Sequence, residues 1–174
     1  MKTVLQTKRL LLRELNAEDA ENMYLLNLDP EVIRYTGDGP FASEAEARLF
    51  LENYDHYKKY GMGRWAVISQ SDEAFLGWCG LKFSPDAGEH DIGFRFFRKY
   101  WSRGYATEAA EACLEYGFDT LGLTSIVGRA MRDNLASIRV LEKIGLRYHS
   151  DFDFEGQPGV VYRLDRQRYR LTRH

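Results

Sequence analysis

The chain has 174 residues and a mass of 20.2 kDa, and surface scaling at this mass allows about 70% of the chain's surface to be buried in one well-filled domain spanning 1–174. With 24 Lys+Arg against 26 Asp+Glu and a net charge of −2, it lacks the basic footprint that phosphate-backbone binding requires, which argues against nucleic acid as a partner. At 44% hydrophobic and 29% charged it is neither disordered nor fibrous, and no stretch supplies the roughly 18 uninterrupted apolar residues of a membrane-spanning helix.

In chain order, Met1 to Arg9 is positively charged, but Arg13 and Glu14 interrupt the leucines that follow, so the start does not read as a signal peptide. Leu10, Leu11, Leu12 and Leu15 read as a first strand. Asn16 with Asp19 resembles a capping box opening a helix that Pro30 closes, and Ser43 with Glu46 opens a second, marked by Ala47, Phe50, Leu51 and Tyr54 and ended by Gly61. Trp65–Ile68, Phe75–Phe83 and His90–Phe97 read as three strands of a meander. The spacing of Ala106, Ala109, Ala110, Cys113, Leu114, Gly117 and Phe118 predicts a helix from about Gly104 to Phe118. Thr124–Arg129 is β-branched and strand-like, Asn134–Ile144 is amphipathic, and Leu146–Phe154 with Val160–Arg168 forms a closing hairpin. Strands leading into helices amid antiparallel strands make a mixed α/β sheet.

Cys79 and Cys113 read as a buried strand residue and a helix core residue, far apart and in no zinc or redox motif. They imply a reducing, cytoplasmic setting. The four histidines are scattered without metal-ligand spacing, so no metal is expected.

The stretch Asp91–Glu108 joins a strand to a helix through a basic turn containing glycine. The first helical turn leaves about four N–H groups unpaired at the positive end of the macrodipole, which suits an anion. Gly104 permits close backbone approach, and Arg98, Lys99 and Arg103 add charge, so the turn fits a di- or oligophosphate. Neither Gly-x-x-x-x-Gly-Lys nor Gly-x-Gly-x-x-Gly is present.

These residues resemble the Gcn5-related N-acetyltransferases, and within them the ribosomal-protein N-terminal acetyltransferase-like branch. The resemblance rests on five motifs in order over nearly the whole chain: Thr7-Lys-Arg-Leu-Leu-Leu-Arg13, Asp29-Pro-Glu-Val-Ile-Arg-Tyr35, Leu76-Gly-Trp-Cys-Gly-Leu81, Asp91-Ile-Gly-Phe94 followed by Tyr100-Trp-Ser-Arg-Gly-Tyr-Ala-Thr-Glu-Ala109, and Asn134 through Leu146. It implies a mostly antiparallel sheet whose fourth and fifth strands splay around acetyl-CoA. It places the pyrophosphate on the backbone N–H groups of Trp101, Ser102, Arg103, Gly104, Tyr105 and Ala106, counts Thr107, Phe94, Arg95 and Phe96 among the cofactor-binding residues, and puts the thioester carbonyl near Gly93–Arg95. The family commonly has Gln or Arg where this chain has Trp101, and often Gly at Ala106. Asn134 would contact the pantetheine arm or cap its helix.

Acetyl transfer to an amine needs the neutral amine. At pH 7 a lysine amine is neutral about 0.04% of the time and an α-amine about 14% of the time, a difference of about 3.5 kcal/mol, so an α-amine can be served by a modest base working through water. Asp91 is the candidate base, with Glu89 and His90 beside it. The family position that often holds a Tyr is Leu141 here, which cannot protonate the thiolate, and Ser137 one turn earlier is the candidate donor. Direct transfer is expected, because neither cysteine has an activating base. A CoA-binding sensor without turnover is the alternative reading. The amine acceptor is a protein N-terminus or a small molecule, and a homodimer is open. Its groove is expected between Tyr35–Phe41 and the hairpin near Phe152–Pro158, with Tyr35, Phe41 and Trp65 as an aromatic wall or as core. Arg166, Arg168, Arg170 and Arg173 read as a basic, solvated last strand.

Overall fold

The computed structural model describes residues 2–173, which form an eight-stranded sheet in the order β1-β2-β3-β4-β5-β6-β8-β7. The strand β1 (Thr3–Gln6) precedes the one expected at Leu10 and pairs antiparallel with β2 (Leu10–Glu14). Its four residues are too few to show an alternating pattern. Because of it, the two strands expected to splay are the fifth and sixth of the sheet.

The capping box at Asn16 is present. Its side chain accepts from the Glu18 N–H, while Asp19 accepts from the Asn16 N–H at 2.9 Å, around a short 3-10 turn leading into α1 (Ala20–Leu28). Asp19 is buried because Arg13 meets it with two bonds of 2.8 and 2.9 Å. That pairing raises the Arg13 guanidinium above its ordinary value, against the opposing effect of burial.

The stretch after Ser43 is two helices rather than one, α2 (Glu44–Glu52) and α3 (His56–Tyr60), the latter ending at left-handed Gly61. The break lets two tyrosines turn inward onto strand backbone. The Tyr54 hydroxyl accepts from the Arg64 N–H, and the Tyr57 hydroxyl accepts from the Leu15 N–H and donates to the Arg64 carbonyl.

The meander is as expected: β3 (Arg64–Ser69), β4 (Phe75–Ser84) and β5 (Glu89–Phe96) pair antiparallel. The helix α4 (Tyr105–Glu115) continues through a wide turn to Thr120, then β6 (Ser125–Met131), α5 (Leu135–Lys143) and the hairpin of β7 (Arg147–Phe154) and β8 (Gln157–Asp165) follow. Three of the C-terminal arginines, Arg166, Arg168 and Arg170, lie on a helix, α6 (Arg166–Thr172), not on a strand, and Arg173 is its C-cap. Apolar Tyr169 decides this, stacking on Phe118 at 4.7 Å in the core. Arg166 donates to the Gly122 carbonyl and Arg173 pairs with Glu111, so two of the four basic side chains are held within the chain.

Strand alternation divides the sheet into two faces. One carries Leu10, Leu12, Trp65, Val67, Cys79, Leu81 and Ile92 against Ala109, Ala110, Cys113 and Leu114 of α4. The other carries Ala66 and Trp78 beneath α1 and α2. Trp65 is therefore core, 1% exposed with its ring edge-on to Tyr116 at 5.5 Å, and it forms no acceptor wall. The two cysteines are not far apart: β4 and α4 bring their sulfurs to 3.7 Å as free thiols.

Replacing Trp65 with Ala leaves a cavity at the centre of the larger core. We expect a loss of about 3–5 kcal/mol, measured by urea unfolding.

Candidate active site

The strands β5 and β6 run parallel, and their register is a single position, Asp91 opposite Val127. From Gly93 to Phe96, β5 keeps its ladder to β4 while no residue of β6 pairs with it. Alternate N–H and C=O groups of this stretch therefore face an open gap instead of a strand.

The chain leaves β5 through a 3-10 turn at Arg98–Tyr100 and reaches α4 through two left-handed residues, Ser102 (φ 62) and Gly104 (φ 80). Glu108 is the first residue of α4 whose N–H finds a helical acceptor, the Gly104 carbonyl at 3.0 Å. The N–H groups of Tyr105, Ala106 and Thr107, the open first turn, thus point out of the helix end. A non-glycine residue in the left-handed region is strained, and Ser102 holds that strain beside this anion-suited turn. The Trp101 indole donates to the Phe96 carbonyl at 2.9 Å and closes the loop.

The side chains divide between the two faces. Phe96 is buried and Phe94 packs on the core, so Phe94 offers the gap its backbone, while the Phe96 carbonyl is already taken by Trp101. Arg95 points to the opposite face, where it donates to Asn27 at 2.7 Å and meets Asp38 at 3.4 Å, while its buried Nε has no hydrogen-bond partner among the described residues. Burial lowers the Arg95 guanidinium from its ordinary value, against the nearby Asp38. Arg98, expected to add charge to the turn, is committed to Asp29 at 3.0 Å.

Asp91 stands where the strands part. Its Oδ1 receives Arg64 Nη2 at 2.6 Å, and Arg129 Nη1 lies 3.9 Å from Oδ2. Arg64 also donates to the Gly80 and Asp91 carbonyls. It lies flat over Gly93, where a Cβ would stand 2.7 Å from its Cζ. Glu89 pairs with Arg129, so of the two residues expected beside Asp91, this carboxylate is already engaged. The other, His90, packs on Phe83 at 4.7 Å, and burial lowers its pKa.

Asn134 caps α5, its side chain accepting from the Ser137 N–H at 3.3 Å. Ser137 is half-buried in that first turn, and Leu141 is buried over Gly128.

The two segments expected to flank the acceptor do meet. A Cβ on Gly37 would stand 2.8 Å from Glu155 Cγ and 3.0 Å from the Phe154 ring. Tyr35 is half-buried beneath the Arg34 guanidinium. Phe41 lies further off, lining a groove of about 410 Å³ with Glu46, Phe50, Tyr54, Asp55 and His56. Nearer Asp91 is Trp78, which the sequence did not single out: its ring receives Arg64 at 5.4 Å and Arg95 at 5.3 Å. Arg64 and Arg129 were also missed. Arg64 left one signal, a charge opening an otherwise apolar strand.

A last group ties the N-terminal strands to this site. Glu108 of α4 accepts from the Thr7 hydroxyl at 2.5 Å, the Arg9 N–H at 3.0 Å and Arg9 Nε at 2.7 Å. Burial disfavours the charged form of Glu108, but the bonds from Thr7 and Arg9 prevail and hold its carboxyl below the ordinary 4.5. A depressed folded-state pKa contributes stability above the unfolded value and loses it as pH falls through the folded value. The wild-type advantage over Glu108→Gln should therefore be full near pH 7 and shrink below 4.5, as read by thermal unfolding across pH; an advantage independent of pH would contradict this.

Residues 9–147 match the family model described as an acetyltransferase (GNAT) domain. The chain is 35% identical to the uncharacterized N-acetyltransferase YnaD of Bacillus subtilis over 84% of each chain, and 35% identical to the uncharacterized protein YkkB of the same organism over 92% of this chain and 95% of that one. The crystal structure of a GNAT-family acetyltransferase from Bacillus anthracis superposes with a TM-score of 0.81 at 28% identity, covering 94% of this chain and 98% of the other. With the parted strands and the open helix end already in place, these matches show that the chain belongs to the GNAT family and is an N-acetyltransferase.

Proposed function

We propose that this acetyltransferase takes its acetyl group from acetyl-CoA and passes it directly to an α-amine or small-molecule amine bound on the α1–α2 side of the sheet. The observation that carries this reading is the unladdered edge of β5 leading into the left-handed turn at α4. Acetyl-CoA supplies a thioester, whose acyl carbon is open to amine attack and whose thiolate leaves. The chain's residues supply the rest.

In this reading the backbone of Trp101–Thr107 holds the pyrophosphate, as an open helix N-terminus holds anions generally. A β5 N–H between Gly93 and Arg95 polarises the carbonyl; such a preorganised donor strengthens as negative charge develops on oxygen. Asp91 takes the amine proton, directly or through water, and Oδ2 is the oxygen left for this because Oδ1 is bound to Arg64. Ser137 stands as the donor to the departing thiolate, and Asn134 supports the pantetheine arm while capping α5. A thiolate with a pKa near a cysteine's leaves without requiring an acid.

Burial of both thiols supports direct transfer over an acyl-cysteine route. Burial pushes the Cys113 thiol up, and Cys79 against it adds to the effect, the reverse of what a nucleophile needs. The five sequence motifs support placing the chain in the ribosomal-protein N-terminal acetyltransferase-like branch, and the two free thiols fit a reducing, cytoplasmic setting. The α-amine is the acceptor that asks least of Asp91.

Thiol release from acetyl-CoA, assayed with peptides, amino acids and polyamines, tests the reading. Asp91→Asn should lower kcat by about 10²-fold or more while calorimetry finds CoA affinity retained. Gly104→Val should abolish CoA binding, since a β-branched residue cannot adopt φ 80 without strain. Normal CoA affinity in the Gly104 variant would displace the phosphate seat, and unchanged turnover in Asp91→Asn would remove Asp91 from the chemistry. Tight CoA binding with no release for any amine would instead favour a CoA sensor.

A further inference from the structure

Arg9 belongs to the first-strand motif, 94 positions before Arg103, yet it lies against the turn that opens α4. Its guanidinium makes three separate contacts there. Nε donates to Glu108 Oε1 at 2.7 Å, Nη1 donates to the Arg103 carbonyl at 3.0 Å, and the plane covers the Tyr105 ring at 4.4 Å. Arg103 stands between the two left-handed residues, Ser102 and Gly104, so the bond to its carbonyl fixes the peptide that leads into left-handed Gly104.

The fourth feature is what Arg9 leaves free. Among the described residues Nη2 makes no hydrogen bond, and it lies 3.4 Å from where a Cβ on Gly104 would stand. The guanidinium charge is shared with Glu108, but this N–H pair is unspent. It sits next to the backbone donors of the same turn. A planar fork held on three sides presents its remaining edge in a fixed direction, the property that makes arginine suited to phosphate.

We propose that Arg9 is a cofactor-positioning residue: it sets the Ser102–Gly104 turn through the Arg103 carbonyl and lends Nη2 to the pyrophosphate of acetyl-CoA. Thr7 and Glu108 act through it, Glu108 as the clamp that orients the fork and Thr7 as the hydroxyl that fixes Glu108. This rests on the placement of the pyrophosphate given above. The N-terminal strands thereby become part of the cofactor site, although their sequence lies far from it.

The test is calorimetry with CoA and with dephospho-CoA, which lacks the 3′-phosphate, together with acetyl-CoA and amine kinetics. Arg9→Ala should weaken both ligands alike, by about tenfold or more, the scale of one charged contact, and raise the acetyl-CoA KM by the same factor. The kcat at saturation and the amine KM should stay put. Glu108→Ala should reproduce most of the loss, and the double variant should be little worse than Arg9→Ala, since coupled residues are not additive. Arg9→Lys keeps the charge and the packing on Tyr105 without the fork, so it should fold as wild type and recover only part of the affinity. Unchanged CoA affinity in both Arg9 variants, a loss for CoA but not dephospho-CoA, additive effects of Arg9 and Glu108, or a fall in kcat without a rise in acetyl-CoA KM would each overturn the proposal. A wild-type chain that binds neither ligand would refute the pyrophosphate placement itself, a result distinct from failure of the Arg9 variants alone.

Discussion

The contact on which the rest of the structure depends is the single register between β5 and β6, Asp91 opposite Val127. A parallel pair that continued to Phe96 would close the sheet and leave no room for a ligand. The strands instead part after one position, and the β5 backbone beyond it faces no strand. Backbone N–H and C=O groups withdrawn from water without a partner are costly, so an opening of this kind persists only where solvent or a ligand reaches it. The geometry thus prescribes an extended occupant able to hydrogen-bond along an edge, which is what the amide-bearing arm of CoA provides.

Braces on both sides keep the opening from collapsing. At its apex Arg64 lies across Gly93 and binds Asp91, while Arg129 reaches from β6 to Glu89 and toward Asp91. On the α1 side the loop at Asp38 meets Arg95, and Gly37 touches the β7–β8 turn, joining the two halves of the sheet across the gap. At the mouth Arg9, Glu108 and Thr7 tie the outermost strands to α4. The near-neutral net charge of the chain conceals this arrangement. Charges cluster in opposite-sign groups at the apex, at the loop and at the mouth, and of the cations expected at the phosphate turn Arg98 is spent on Asp29, whereas Lys99 and Arg103 form no ion pair among the described residues.

Much of this was legible in the sequence where the signal is local. Helical periodicity marks α4 and α5, the glycine and its neighbours mark the turn before α4, and the caps at Asn16, Ser43 and Asn134 appear where side chain and spacing agree. What was not legible depends on contacts between distant residues. Nothing near Trp65 says whether an aromatic strand residue faces core or groove; its register against Cys79 and its packing on Tyr116 decide it. The cysteines are 34 positions apart, and only the docking of α4 on β4 brings them to 3.7 Å. The helix α6 lacks a strong apolar stripe, so four arginines outweighed Tyr169 in the reading. Arg9 and Glu108 each resemble ordinary surface charges until the fold joins them.

Amide hydrogen exchange, followed with and without CoA, reads the backbone groups that the gap and the helix end leave open. CoA should slow exchange in two separate stretches, Gly93–Arg95 on β5 and Arg103–Thr107 at the start of α4, with little change along β3 and β4. CoA binding that left both stretches exchanging as in the free protein would contradict this.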